Sequence, residues 1–175
     1  MECPDVWRTP RVDTRGPGPY RRQGRRHRDG AQTLTESIGE CFVVFADGAS
    51  RGNPGPASIG AAIFDASGHE VHAVSRRIGR ATNNEAEYQA AIAGLEAALA
   101  LGAGCVSLRM DSELVVRQLE YRYKVRNPRL QPMFARLLEL RRRFATFDVD
   151  SIPRAMNKRA DQLANQALDS PAGPD

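Results

Sequence analysis

The sequence has few of the features that mark a secreted, membrane or zinc-dependent protein. No apolar run approaches the roughly 20 residues that a membrane helix needs, and MECPDVWRTPRV at the N-terminus has no apolar stretch behind a basic start. A cytoplasmic protein with no membrane partner is expected. Its three cysteines, Cys3, Cys41 and Cys105, share no CxxC spacing. Cys41 and Cys105 lie in apolar surroundings that suit small buried thiols, so neither a disulfide nor a zinc site is assigned. Internal repeats are absent too, which excludes a solenoid. What remains is ordinary for a globular chain: 175 residues, 41% hydrophobic and 26% charged. That is enough for one well-buried domain with a tail, and too little for two of usual size. A net charge of +4 and a pI near 9.3 lean mildly towards an acidic partner such as nucleic acid.

Residues 1–38 cluster Pro and Gly and carry eight arginines between Arg8 and Arg28 against the single acid Asp13. This stretch reads as a disordered basic arm, either an electrostatic tether to phosphates or a solvated extension without a role. The domain is expected over 39–170, with a frayed tail at 171–175. It opens on CFVVFADGASRGNPGPA. Phe42 to Ala46 are all apolar, as in a central strand covered on both faces, and Asp47 interrupts the run. An acid there either starts an Asp-Gly turn at Gly48 or serves as a metal ligand or catalytic acid at the mouth of the sheet. SIGAAIFD and EVHAVSRRI, joined at Ser67-Gly68, are expected to complete an antiparallel meander.

The spacing then predicts a long helix over 82–101, capped from Thr82 to Asn84 and closed by Gly102. Tyr88, Ile92, Leu95 and Leu99 form its large apolar stripe. Ala91, Gly94 and Ala98 form a flank of small residues where the axis could approach a sheet, and Glu87 lies on that flank. Taken alone, Glu87 is a partnered surface charge or a ligand. CVSLRM is a further strand with Asp111 at its end, and Ser112 is placed to cap a helix over 113–121. This strand should run parallel to the first, putting Asp47 and Asp111 at one edge of the sheet, where ligands of open α/β sheets bind. A basic loop, RYKVRNPRLQP, precedes a helix over 133–144 that buries Phe134, Leu137, Leu138 and Leu140. A last strand over 147–152 and the loop PRAMNKRA lead to a helix over 157–168 striped by Ala160, Leu163, Ala164, Ala167 and Leu168. Asp161 sits in the first turn of that helix, where an acid also suits the dipole.

Four acids directed by four elements to one end of one sheet would repel one another without cations. Hard divalent metals relieve that repulsion, and a pair of them can drive phosphodiester cleavage. Here the sequence resembles the type 1 ribonuclease H family. DGASRGNPGPASIGAAI is similar to its first motif, TNNEAEYQAAIAGLEAAL to its second, MDSELVVRQL to its third and NKRADQLANQAL to its fourth. The resemblance covers about residues 41 to 169. It implies an α/β fold, a five-stranded mixed sheet of order 3-2-1-4-5 flanked by helices. It further implies that Asp47, Glu87 rather than Glu85, Asp111 and Asp161 are catalytic and hold Mg²⁺, two ions per site, or Mn²⁺. The activity implied is endonucleolytic hydrolysis of the RNA strand of RNA/DNA hybrids, leaving 5′-phosphate and 3′-hydroxyl ends, with a monomer the family expectation.

By the same resemblance Asn53 contacts RNA 2′-hydroxyls, Asn83 and Asn84 read the minor groove, and Arg80 with Thr82 grips a phosphate of the DNA strand. Two departures stand out. Only RYKVRNPRLQP occupies the place of the family's basic, Trp-containing protrusion, so hybrid affinity must come from the arm or from Arg126 and Arg129. Further, SIPRAMNK has no histidine where many members carry one, and Arg154 stands there instead. An arginine cannot shuttle a proton near neutral pH. The alternative to a nuclease is a catalytically silent hybrid-binding module on the same fold, against which the presence of all four acids argues. An integrase or junction resolvase is disfavoured by Asn53 and the Asn83-Asn84 pair.

Overall fold

The computed structural model describes residues 39–170; the basic arm over 1–38 and the tail over 171–175 lie outside the described residues. Three strands, β1 (Glu40–Ser50), β2 (Gly55–Phe64) and β3 (Glu70–Ala81), form the antiparallel meander expected from their patterning. Helix α1 (Asn83–Ala100) then carries the chain across to β4 (Ala103–Met110), which pairs parallel to β1. Helices α2 (Glu113–Leu119) and α3 (Gln131–Arg141) lead to β5 (Thr146–Ser151), parallel to β4. A 3-10 turn at Arg154–Met156 precedes α4 (Lys158–Asp169). The sheet order is 3-2-1-4-5, as the resemblance implied.

The first strand departs from expectation. Asp47 does not end β1, and no Asp-Gly turn forms at Gly48: the ladder to β2 continues through Asp47↔Gly60, Gly48↔Ile59, Ala49↔Ser58 and Ser50↔Ala57. The turn falls later, at residues 51–54. Packing explains the extension. A Cβ on Gly48 would lie 2.3 Å from the backbone of Ala86 and Glu87, so this glycine lets α1 rest directly on the strand rather than bending the chain.

The small flank of α1 behaves as its composition suggests. Ala91, Gly94 and Ala98 are buried, and a Cβ on Gly94 would meet Val44 Cγ1 at 2.7 Å. Of the large stripe, Tyr88 and Leu95 are fully buried whereas Ile92 and Leu99 are half-covered, because that side packs on α3 rather than on the sheet. Thr82 and Glu85 close a reciprocal capping box at the start of α1, worth about 1 kcal/mol.

On the opposite face α4 lies across β2 and β3. A Cβ on Gly60 would stand 2.2 Å from the Ala160 carbonyl oxygen. The Ser58 and Ser75 hydroxyls donate to the carbonyls of Ala164 (2.6 Å) and Leu163 (2.7 Å). All five residues of the predicted α4 stripe are buried. Two other boundaries moved. Tyr121 adopts φ 60, a left-handed conformation that stops α2 short of it. Pro132 fits the first turn of α3, which therefore starts at Gln131 and leaves Arg142 and Arg143 beyond its last residue. Leu137 and Leu140 are buried there, while Phe134 and Leu138 are only half-covered.

Candidate active site

At the C-terminal ends of the parallel pair β1 and β4, the N-terminal turns of α1 and α4 converge from opposite faces of the sheet. Asp47 points to the α4 face with its register partner Gly60, and Asp111 follows the last residue of β4. Glu87 arrives on the first turns of α1, and Asp161 in the first turn of α4. The structure therefore brings the four predicted acids together, which no contiguous stretch of chain could do.

Their electrostatics follow from crowding and burial. Asp47 is only 8% exposed, and its pKa is pushed up to about 7, first by burial and then by the charges of Asp111, Asp161 and Glu87; Arg154 opposes them. Burial also raises Glu87, and Asp111 adds to this, while hydrogen bonds from Ser112 and Asn83 pull the other way. Each remaining acid has a donor. Asn83 Nδ2 donates to Glu87 Oε1 at 3.0 Å, and the Ser112 hydroxyl donates to Glu87 Oε2. Asn157 Nδ2 donates to Asp111 Oδ1 and Arg154 to Asp161 Oδ1, each at 2.7 Å.

Among the described residues, no three acidic, histidine or cysteine side chains already converge into a coordination shell. The chemistry of the donor set nevertheless fits hard divalent cations. It consists of carboxylate oxygens, Asp47 has no hydrogen-bond or ion-pair partner among the described residues, and Arg154, which opposes its raised pKa, has a side chain that is 78% exposed.

The substrate-contact candidates divide. Asn53 Oδ1 accepts the Asn83 backbone N–H at 3.2 Å, so the turn after β1 is tied to the start of α1 and, through Asn83, to Glu87. Asn84 is exposed beside them, and Arg80 is exposed on β3 opposite Pro56. Thr82 is committed elsewhere: its hydroxyl donates to Glu85 Oε2 at 2.8 Å and accepts the Glu85 N–H. Of the pair predicted to grip a phosphate, only Arg80 has no side-chain hydrogen-bond or ion-pair partner among the described residues.

Sequence reasoning missed two positions. Ser112 was expected only as a helix cap, yet its hydroxyl also donates to Glu87. Asn157 is completely buried and makes no cap. Its Nδ2 bridges the Ala46 carbonyl oxygen at 3.0 Å and Asp111, and its Oδ1 has no partner among the described residues. Asn before a helix ordinarily reads as a cap, and nothing local shows that this one turns inward. Asn157→Asp would replace both donations with repulsion against Asp111. We expect a loss of about 2–4 kcal/mol at neutral pH, measurable by urea denaturation. Unchanged stability would mean that the bridge is not formed.

Comparison with known proteins agrees with this geometry. Residues 45–167 match the model of the family described as reverse transcriptase-like. A protein of Mycobacterium tuberculosis named as bifunctional is 47% identical over 131 residues, which cover 74% of this chain and 36% of the relative. The ribonuclease HI of Halobacterium salinarum is 47% identical over 126 residues, 72% of this chain and 63% of that protein. The crystal structure of ribonuclease H1 from that organism superposes with a TM-score of 0.72 at 46% identity, covering 74% of this chain and 98% of the solved one. A compost-derived ribonuclease H1, solved in complex with an RNA/DNA hybrid, gives 0.69 at 42% identity, covering 73% and 96%. The chain thus spans about a third of the mycobacterial relative and under two thirds of the archaeal one. With a family model over most of its length and solved ribonuclease H domains matched almost end to end, the chain belongs to the reverse transcriptase-like family as a type 1 ribonuclease H domain.

Proposed function

We propose that this protein is a divalent-metal-dependent endoribonuclease that hydrolyses the RNA strand of RNA/DNA hybrids, leaving 5′-phosphate and 3′-hydroxyl ends. The observation that carries this is the convergence of Asp47, Glu87, Asp111 and Asp161 from both faces of the sheet, with the pKa of Asp47 raised to about 7 by burial and by the other three acids despite Arg154. Mg²⁺, as two ions, or Mn²⁺, held by these carboxylates, would activate the attacking water and neutralise charge on the scissile phosphate and leaving oxygen.

The chain's own residues do the rest. Asn157 and Ser112 orient Asp111 and Glu87, so the carboxylates are held before any cation arrives. Asn83 borders Glu87, Asn53 is tied to the Asn83 backbone, and both offer amide groups to a 2′-hydroxyl, which is how RNA is told from DNA. Arg80, with the α1 N-terminus, is suited to a phosphate of the DNA strand. Arg154 holds Asp161 and remains protonated across the neutral range, so it contributes charge and not proton transfer.

The test is cleavage of an end-labelled hybrid with Mg²⁺ or Mn²⁺, beside double-stranded RNA and DNA. Efficient cutting is expected only for the RNA strand of the hybrid. Asp111→Asn should abolish it while leaving the circular dichroism spectrum unchanged. A wild type that binds the hybrid but leaves it intact with both metals would reverse the assignment in favour of a silent binding module.

A further inference from the structure

We propose that Cys41 and Cys105, register partners on β1 and β4, form a dithiol modification site, which a low-molecular-weight disulfide oxidises to a cross-strand disulfide that locks these two strands together. The site lies outside the acid cluster and stands independently of the hybrid-nuclease reading.

Three observations converge on it. First, the pair is in register on neighbouring parallel strands, which sets the Cα atoms about 4.8 Å apart, within the roughly 4.4–6.8 Å that a disulfide spans. Glycine holds the register there: a Cβ on Gly104 would stand 2.4 Å from the Gly39 backbone nitrogen, so the two chains touch just before the cysteines. Second, the thiols share a face and can be reached. Phe42, Val44 and Ala46 of β1 and Val106, Leu108 and Met110 of β4 belong to the main core, so strand alternation turns Cys41 and Cys105 to the opposite face. Helix α4 shields that face at Ser58, Gly60 and Ser75. The cysteines lie instead beside half-buried Ser107 and exposed Thr146, and both are free and half-buried. Third, the thiols interact. Burial pushes the Cys105 thiol up to about 11, and a hydrogen bond and charge from Cys41 add to the effect.

A single half-buried thiol is accounted for as a small hydrophobe; two set opposite each other at the margin of the core are also a redox couple. In the exchange one protein thiolate attacks the small disulfide, giving a mixed disulfide and releasing the first small thiol. The second protein thiolate then attacks the mixed disulfide at the protein sulfur and displaces the other small thiol. One protein S–S bond forms and the small S–S bond breaks, the two protein thiol protons pass through solvent to the two released thiolates, and two electrons move from the protein pair to the small disulfide. The new bond closes a loop of roughly 60 residues and so restricts the unfolded chain. Asp47 lies six residues further along β1, about 20 Å away at the strand rise. The lock therefore strengthens the sheet at the end remote from the acids.

The experiment treats the reduced full-length chain with excess glutathione disulfide and follows it by non-reducing peptide mapping and by thermal denaturation in chelator. Mapping should recover the Cys41 and Cys105 peptides joined, with two hydrogens lost from the intact mass. The Tm should rise by roughly 10 °C and return when dithiothreitol is added. Cys41→Ser and Cys105→Ser should each show no rise and stop at a mixed disulfide with glutathione, whereas Cys3→Ser should keep the full effect. Because mapping is done on the parent chain, the test stands even where a serine variant fails to fold. A link that maps to Cys3, glutathione adducts on the parent without a link, or a Tm unchanged by a mapped Cys41 to Cys105 link would overturn the lock.

Discussion

Asp47→Asn is expected to be at once inactive and more stable than the parent chain. Cleavage should fall by ~10³-fold or more, since the carboxylate at the centre of the site is replaced by a neutral amide. Stability should move the other way. The folded-state pKa of Asp47 is raised from 3.8 to about 7, chiefly by burial and then by the neighbouring acids. For a raised carboxyl the folded state holds its proton more tightly than the unfolded state does. The group therefore costs nothing below about pH 4, destabilises progressively from there to pH 7, and levels off above. The full effect is on the order of 4 kcal/mol in the absence of divalent ions, or roughly 10–20 °C in Tm for a domain of this size. In chelator the two proteins should melt together near pH 4 and diverge by pH 8, with Asp47→Asn the higher. Added Mg²⁺ or Mn²⁺ should narrow the gap by stabilising only the parent. A melting difference that does not change with pH would mean that Asp47 is not buried among uncompensated acids.

Gly48→Ala is expected to damage fold and activity together, although it adds only a single methyl. The new Cβ would stand 2.3 Å from Ala86 C and Glu87 N, and both are backbone atoms. No rotamer change can relieve such a clash, so α1 must lift from β1. Overpacking of this kind costs about 3 kcal/mol, and the helix that moves carries Glu87. A displacement of even ~1 Å at a positioned catalytic group can cost ~10²-fold in rate. Thermal denaturation and hybrid-cleavage kinetics on the same preparation would check both effects. A variant as stable and as active as the parent would show that the helix and strand are not in direct backbone contact.

Much of the fold was legible because its elements state their own patterns. Phe42 to Ala46 reads as a central strand, the alanine-rich stretch after Thr82 as a helix with a small face, and the α4 stripe as an amphipathic helix. All three are as expected. The errors concern positions where distant parts of the chain set the outcome. Gly48 looked like a turn former after Asp47, but it is in the strand because a helix some forty residues later needs its missing Cβ. The ends of α2 and α3 slipped because Tyr121 takes a conformation usually left to glycine and because Pro132 is welcome in a first turn.

The four acids were found in the sequence through their motifs, and singly each had a sufficient local excuse as turn, cap or dipole partner. That Glu87 and not Glu85 faces inward followed from the small flank it shares with Ala91, Gly94 and Ala98; Glu85 is occupied by the capping box. Sequence by itself thus determined which side chains the elements present, since helical and strand periodicity are local properties of the backbone. Only the tertiary structure decided how these charges interact. Asp47 is driven to about 7, Asn157 holds Asp111 against the Ala46 carbonyl, and Ser112 serves Glu87 as well as its own helix. Burial and Coulombic coupling depend on distances between residues far apart in the chain, and those distances exist only after both helices have packed on the sheet.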